Sequence, residues 1–222
     1  MIRVASGRSE IALHELRAGA GPTLLCLHAL GGRGSDFAEL APHWSGRVLA
    51  LDFIGHGASQ HPRGGSYSPE ILAGDADAAL AHAGEACAVM GVGLGAYVAL
   101  LIAGSRPERV HAAYLLPGRG LEGGGPAPRT ALAGEALRAE LALLLDAAAQ
   151  RDRRDFDPML HTCEVDPRPA DYARAFADAA QRLLLAEDGS LRPPWWEAVR
   201  EAACALRAPM DPRAGLAMLR PA

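Results

Sequence analysis

The sequence predicts an α/β fold built on a mostly parallel sheet. Two observations carry this expectation. Short apolar runs at 23–28, 47–52, 85–90 and 110–116 have the length of strands buried on both faces. Between them lie stretches of helical length with helix-start signals, the alternation that gives parallel strands joined by crossovers. Composition agrees: 222 residues, 50% hydrophobic and 22% charged, suit one domain with a sizeable core and exclude general disorder.

In order, residues 2–4 and 11–16 read as an antiparallel edge hairpin around Ser6-Gly7-Arg8. After strand 23–28, Gly31, Gly32 and Gly34 form a loop, and Ser35 or Asp36 caps a short helix reaching about Trp44. Strand 47–52 ends in Asp52-Phe53-Ile54-Gly55-His56-Gly57-Ala58-Ser59. Ser68-Pro69-Glu70 starts a helix to about residue 83, with Pro at its first position. Strand 85–90 runs into Gly91-Val92-Gly93-Leu94-Gly95, a glycine turn that opens a helix over 94–105, which Pro107 ends. Strand 110–116 follows.

Beyond Pro117 the pattern is entirely helical: a Gly/Pro loop over 118–128, helices over 130–150, 155–160, 169–185 and 193–206, and a last short helix near 211–219. No strand is expected after Leu116. A core over 1–117 and a helical cap with C-terminal helices over 118–222 should form one compact unit.

Several function classes are set aside by composition. A net charge of −4 gives no footprint for nucleic acid or an anionic membrane surface. No apolar run reaches membrane-spanning length and the N-terminus has no signal-like segment, so a cytoplasmic address is expected. The chain has no lysine, which rules out a Schiff-base or P-loop lysine. Cys26, Cys87, Cys163 and Cys204 show no CxxC spacing; they read as reduced, packed thiols, with no metal and no cofactor expected.

Four motifs stand in order over the first 120 residues: His28-Ala29-Leu30-Gly31-Gly32, the Asp52 to Ser59 loop, Gly91-Val92-Gly93-Leu94-Gly95, and Arg106-Pro107-Glu108-Arg109-Val110. Together they resemble the α/β-hydrolase superfamily. The first looks like its oxyanion loop, the second like its Asp-x-x-Gly-His-Gly-x-Ser loop, and the fourth like its Pro-Glu-x-Val lead into the sixth strand. The third has the strand–turn–helix layout of the nucleophile elbow, with Gly93 where the family carries Ser. The resemblance implies a triad acid after a seventh strand and a His after an eighth. The last histidine here is His161, so the sheet is expected to lack its last two strands and the chain all three triad members. The sixth strand would then be an edge, covered by cap helices or by a homodimer contact.

No catalytic residue stands at a matched position. His28 and His56 read first as structural histidines and Asp52 as a loop holder; all three remain weak acid/base candidates. The backbone N–H groups of Leu30 and Leu94 are expected to form an oxyanion hole for a carbonyl or carboxylate ligand. Trp195 and Trp196 either pack the cap on the core or line an apolar pocket. Glu122 reads as a solvated loop residue. His161-Thr162-Cys163-Glu164 and Asp166 read as packing or surface residues, since positions two apart on a helix do not face each other. The functional expectation is a pseudoenzyme of hydrolase descent that binds a small carbonyl-bearing or apolar ligand. Its alternatives are lyase, isomerase or cyclase chemistry at the oxyanion site, and a decayed hydrolase.

Overall fold

One eight-stranded sheet frames the molecule: β1 (Ile2–Ser6), β2 (Ser9–Arg17), β3 (Thr23–Leu27), β4 (Val48–Asp52), β5 (Cys87–Val92), β6 (Val110–Leu116), β7 (Leu183–Ala186) and β8 (Ala205–Ala208). Their spatial order is β1-β2-β4-β3-β5-β6-β7-β8. This computed structural model describes residues 1–62, 67–84, 87–121, 157–166, 168–189 and 192–219. The hairpin β1–β2 pairs antiparallel with itself and with β4; every later pairing is parallel. Among the described residues, five helices accompany the strands: α1 (Pro69–Leu80), α2 (Leu94–Ser105), α3 (Ala170–Ala179), α4 (Pro194–Arg200) and α5 (Pro212–Leu219).

Side-chain alternation sorts the core into two layers. Leu25 and Leu27 of β3, Leu49 and Leu51 of β4, and Val89 of β5 pack beneath α1, α2, α3 and α4. Leu24, Cys26, Val48, Ala50, Ala88 and Met90 face the other way, under Phe37, Trp44 and α5. Both faces are covered, which is why β3 and β4 are buried at every position.

The missing-strand expectation is overturned. β7 pairs with β6 through Ala113↔Leu183, Tyr114↔Leu184 and Leu115↔Leu185, and β8 extends the sheet beyond it. The sheet therefore crosses the expected boundary at 117, and β6 is an interior strand. With no bare sixth-strand edge, the physical reason for a homodimer contact there is gone. The run expected as one helix over 169–185 divides into α3, a loop and β7; the run over 193–206 divides into α4, a turn and β8. The last short helix expected near 211–219 is α5, which follows β8. The helix expected from Ser35 to Trp44 is two short 3-10 turns, Gly34–Phe37 and Ala41–His43. A 3-10 turn also spans Pro158–Cys163, within what was expected to be the cap. The expected helix over 130–150 and Glu122 lie outside the described residues. Among the described residues no helix is long and apolar enough to cross a membrane.

Candidate functional site

The site is built where β5 turns into α2. Gly93 makes that turn at φ 55, ψ −116 and donates its N–H to Leu116 O at 2.9 Å. This backbone region is open to glycine and costly for other residues, so the sharp elbow survives with no side chain at its apex. The flanking glycines serve close approach. A Cβ on Gly91 would lie 2.1 Å from Gly95 O, and one on Gly95 would lie 2.2 Å from Leu27 O.

The space beside Gly93 is filled by backbone. A Cβ there would lie 2.3 Å from Arg119 O and 2.5 Å from Gly118 C. The two donors named from the sequence meet on a single oxygen, which belongs to the chain itself and not to a ligand. Leu30 N donates at 3.1 Å and Leu94 N at 2.9 Å, both to Arg119 O of the chain's own loop after β6. That loop is secured further out. Leu121 N donates to Cys163 O at 2.7 Å, Trp195 Nε1 donates to Leu121 O at 3.0 Å, and the Arg119 guanidinium pairs with Glu164 at 2.8 and 2.5 Å.

The weak acid/base candidates are held by backbone. Phe53 N donates to His28 Nε2 at 3.1 Å, so the ring proton sits on Nδ1, which donates to Ala29 O at 2.7 Å. Gly31 N donates to His56 Nε2 at 3.2 Å, and Nδ1 donates to Ile54 O at 3.3 Å. The two rings meet edge-to-face, 4.7 Å between centroids. Burial holds both imidazoles below their ordinary pKa, which keeps them neutral. Asp52 accepts from Gly34 N at 2.6 Å, Ala58 N at 2.8 Å and His14 Nε2 at 2.9 Å. Burial raises this carboxyl, and the bonds from Gly34, Ala58 and His14 outweigh it, so the group stays below its ordinary value. The loop motif is explained by this hub: Gly57 lies so close to Asp52 that a Cβ would sit 2.4 Å from Oδ2, and Ser59 Oγ donates to Asp52 O at 2.5 Å. His14 and the Asp52 hub were not foreseen as partners, because β2 and β4 are 38 residues apart in sequence there.

With β7 and β8 in place, the loops that follow them can be read. Glu187 and Asp188 follow β7, at the position where the family resemblance puts a triad acid. Glu187 pairs with Arg200 Nε at 2.5 Å and Arg207 Nε at 2.9 Å; Asp188 pairs with Arg192 at 2.9 Å. After β8 come Pro209, Met210 and Asp211, with no histidine. An acidic residue thus stands after β7, and none of the residues that follow β8 in the sequence is a histidine. The acid is not legible in the sequence because the four residues of β7 continue the helical pattern before them.

The residues named as binding candidates lie in the packed interior. Leu30, Leu94, Trp195 and Trp196 are all buried. Trp195 stacks edge-to-face on Tyr97 of α2, 5.0 Å between centroids, and tilts against Trp196 at 5.2 Å. Cys163 is buried with its thiol pushed up to about 11, which leaves it a poor nucleophile. All four cysteines are free thiols. Among the described residues no His/Cys/Asp/Glu group could hold a metal ion. A cleft of about 400 Å³ opens at the carboxyl ends of β3 and β5. It has apolar walls of Phe37, Leu40, Met90 and Val92, and Asp36, Glu39 and Asp211 also line it.

Comparison with known proteins bears on this arrangement. No curated protein matches the sequence. Similar solved structures include a hypothetical protein from Pseudomonas aeruginosa PAO1, 25% identical, with a TM-score of 0.65 over 98% of this chain and 95% of that one. The thioesterase domain from the curacin biosynthetic pathway shares the fold at 19% identity, TM-score 0.70, covering 98% and 97%. So does the bottromycin epimerase BotH, solved with bottromycin A2, at 22% identity, TM-score 0.64, covering 98% and 94%. A protein-family comparison matches residues 24–221 to the alpha/beta hydrolase family. That match spans β3 through α5, with the elbow, the Asp52 loop and both late strands inside it, and the chain belongs to the alpha/beta hydrolase family.

Proposed function

We propose that this protein is a member of its family that does not hydrolyse through an acyl-enzyme and instead binds a small apolar molecule. The observation that carries the reading is at Gly93. The nucleophile is absent, and the position a Ser Cβ would take is 2.3 Å from Arg119 O. The loop after β8 offers no histidine, and Glu187 after β7 is bound to Arg200 and Arg207 and not to an imidazole. A triad needs all three roles in one geometry. The ligand belongs in the cleft bounded by Phe37, Leu40, Met90 and Val92, at the carboxyl ends of parallel strands where open α/β sheets present ligands.

The test uses a fluorophosphonate probe and nitrophenyl esters on the wild type and on Gly93→Ser. Neither protein should label or turn over, since the base is missing as well as the hydroxyl. Burst kinetics in the wild type would overturn the reading.

A second reading is favoured by one specific observation. Leu30 N and Leu94 N donate to one oxygen, the Arg119 carbonyl, and such convergence of two backbone donors supports an oxyanion-binding role. Isomerase, lyase or cyclase chemistry without a nucleophile would use that pair, and one protein of the same fold is named an epimerase. A screen for solvent deuterium incorporation into carbonyl compounds separates this reading from binding alone.

A further inference from the structure

We propose that residues 118–121 form an internal strap that occupies the oxyanion site, so that a ligand oxygen binds there only by exchanging with the Arg119 carbonyl. The donors come from two separate elements, the loop after β3 and the first residue of α2. They meet on one peptide oxygen at 3.1 and 2.9 Å. A peptide carbonyl presents to them the same acceptor that an amide or carboxylate ligand would.

The strap is shaped to lie on the elbow. A Cβ on Gly118 would be 2.7 Å from Val92 Cγ1, and one on Gly120 would be 2.8 Å from Leu94 Cβ. Gly120 has φ +104, and Leu121 next to it holds φ 56, a conformation that costs a branched, bulky residue energy and must be enforced by neighbours. Those neighbours are on the outer side: Cys163 O, the Trp195 indole and Glu164. The inner bonds are the ones a ligand oxygen would restore after displacing the strap. The outer bonds are lost on opening without replacement, so they set the population of the open state. The open fraction then scales the apparent affinity for any ligand carrying a carbonyl or carboxylate oxygen on a short apolar body, since Leu30, Leu94 and Leu121 border the site. This inference rests on the oxyanion geometry and not on the absence of hydrolysis, so turnover in the esterase assay would leave it standing.

The test follows hydrogen exchange at the Leu30 and Leu94 amides by NMR, with hexanoate as the probe ligand. In the wild type both amides should exchange together and far more slowly than exposed loop amides. Glu164→Gln should speed both by about threefold, as expected for a partly exposed ion pair. Trp195→Phe, which keeps the ring and loses the bond to Leu121 O, should speed both by about tenfold. Hexanoate should gain affinity by the same factors and shift both amide signals. Glu164 is partly exposed, so that variant stays informative if the tryptophan change unfolds the chain. The proposal is overturned if the two amides exchange at loop rates in the wild type, or if the variants leave their exchange unchanged. It is also overturned if exchange quickens while hexanoate fails to bind or gains nothing.

Discussion

At the scale of single residues, the strongest expectation concerns Asp75 of α1. It is buried, accepts from Ile54 N at 2.9 Å and from Ser6 Oγ at 2.7 Å, and burial lifts its carboxyl from 3.8 to about 6 against those bonds. The folded-state pKa is above the unfolded one, so the folded chain holds the extra proton between those values. The stabilising contribution is full below 3.8 and is lost as pH rises through 6. At pH 7 the ionised group costs the fold about 3 kcal/mol. Asp75→Asn removes the charge, keeps an oxygen to accept from Ile54 N and lets its amide N–H donate to Ser6 Oγ in a reversed contact. Its melting temperature relative to wild type should climb from pH 4 to pH 7 and then level off; a difference that does not change with pH would refute the assignment. His28 and His56 act in the opposite sense. Their folded pKa values lie below 6.5, so the stability they give is present above 6.5 and lost as pH falls. The Asn variant should therefore keep an acid-side decline that starts below about 6.5. Gly93 gives a second residue-scale prediction. Gly93→Ser must hold φ 55 and push Arg119 aside, and should lower the urea-unfolding free energy by about 2–4 kcal/mol; an unchanged unfolding midpoint would show that the strap yields freely.

At the scale of elements, the seam between β5 and α2 is set by glycines. The Gly95→Ala Cβ would meet Leu27 O at 2.2 Å, backbone of β3 that has no side chain to move, so α2 would have to lift off the sheet. Folded yield should fall severely, measured as soluble protein with native near-ultraviolet dichroism, while Gly74→Ala on α1, whose Cβ meets nothing within 4 Å, should be neutral or stabilising. These elements were legible in the sequence because their signals were local. α2 and β6 have the expected bounds, 94–105 and 110–116, fixed by a glycine turn, by Pro107 and by a long apolar run. β7 and β8 were not legible. Each has four residues, and Leu183–Ala186 continues the apolar spacing of the Ala-rich helix before it, so a short buried strand and a helical turn look alike. β8 has exposed Leu206 and Arg207 and lacks a buried strand's apolar run. The site was half legible. The Leu30 and Leu94 donors follow from the elbow motif, but their acceptor, Arg119, sits in a loop whose path depends on Cys163, Glu164 and Trp195 far along the chain.

At the scale of the whole molecule, the late strands decide whether the sheet is a closed unit or an open one. β6 is sealed on its outer side by β7, and Tyr114 at its centre donates to Pro209 O at 2.5 Å, while α5 lies so close that a Cβ on Gly215 would be 2.2 Å from the Tyr114 ring. Leu183, Leu184, Leu185, Leu216 and Leu219 are buried by this third of the fold. At about 1.5–3 kcal/mol for each buried leucine, they contribute on the order of 10 kcal/mol, comparable to the net stability of an entire domain. A chain ending at residue 180 keeps the elbow, the Asp52 hub and all four motifs that identify the family, yet loses that whole contribution. It also leaves β6 as a long, flat, apolar edge, the geometry that recruits other chains by strand pairing. Such a chain should emerge from size-exclusion chromatography with light scattering as soluble aggregate or not at all, and the full chain as a discrete species. A monodisperse, cooperatively folding product of the shortened chain would show that the motif-bearing half suffices, and that β7, β8 and α5 serve only to position Glu187 and the loop after β8.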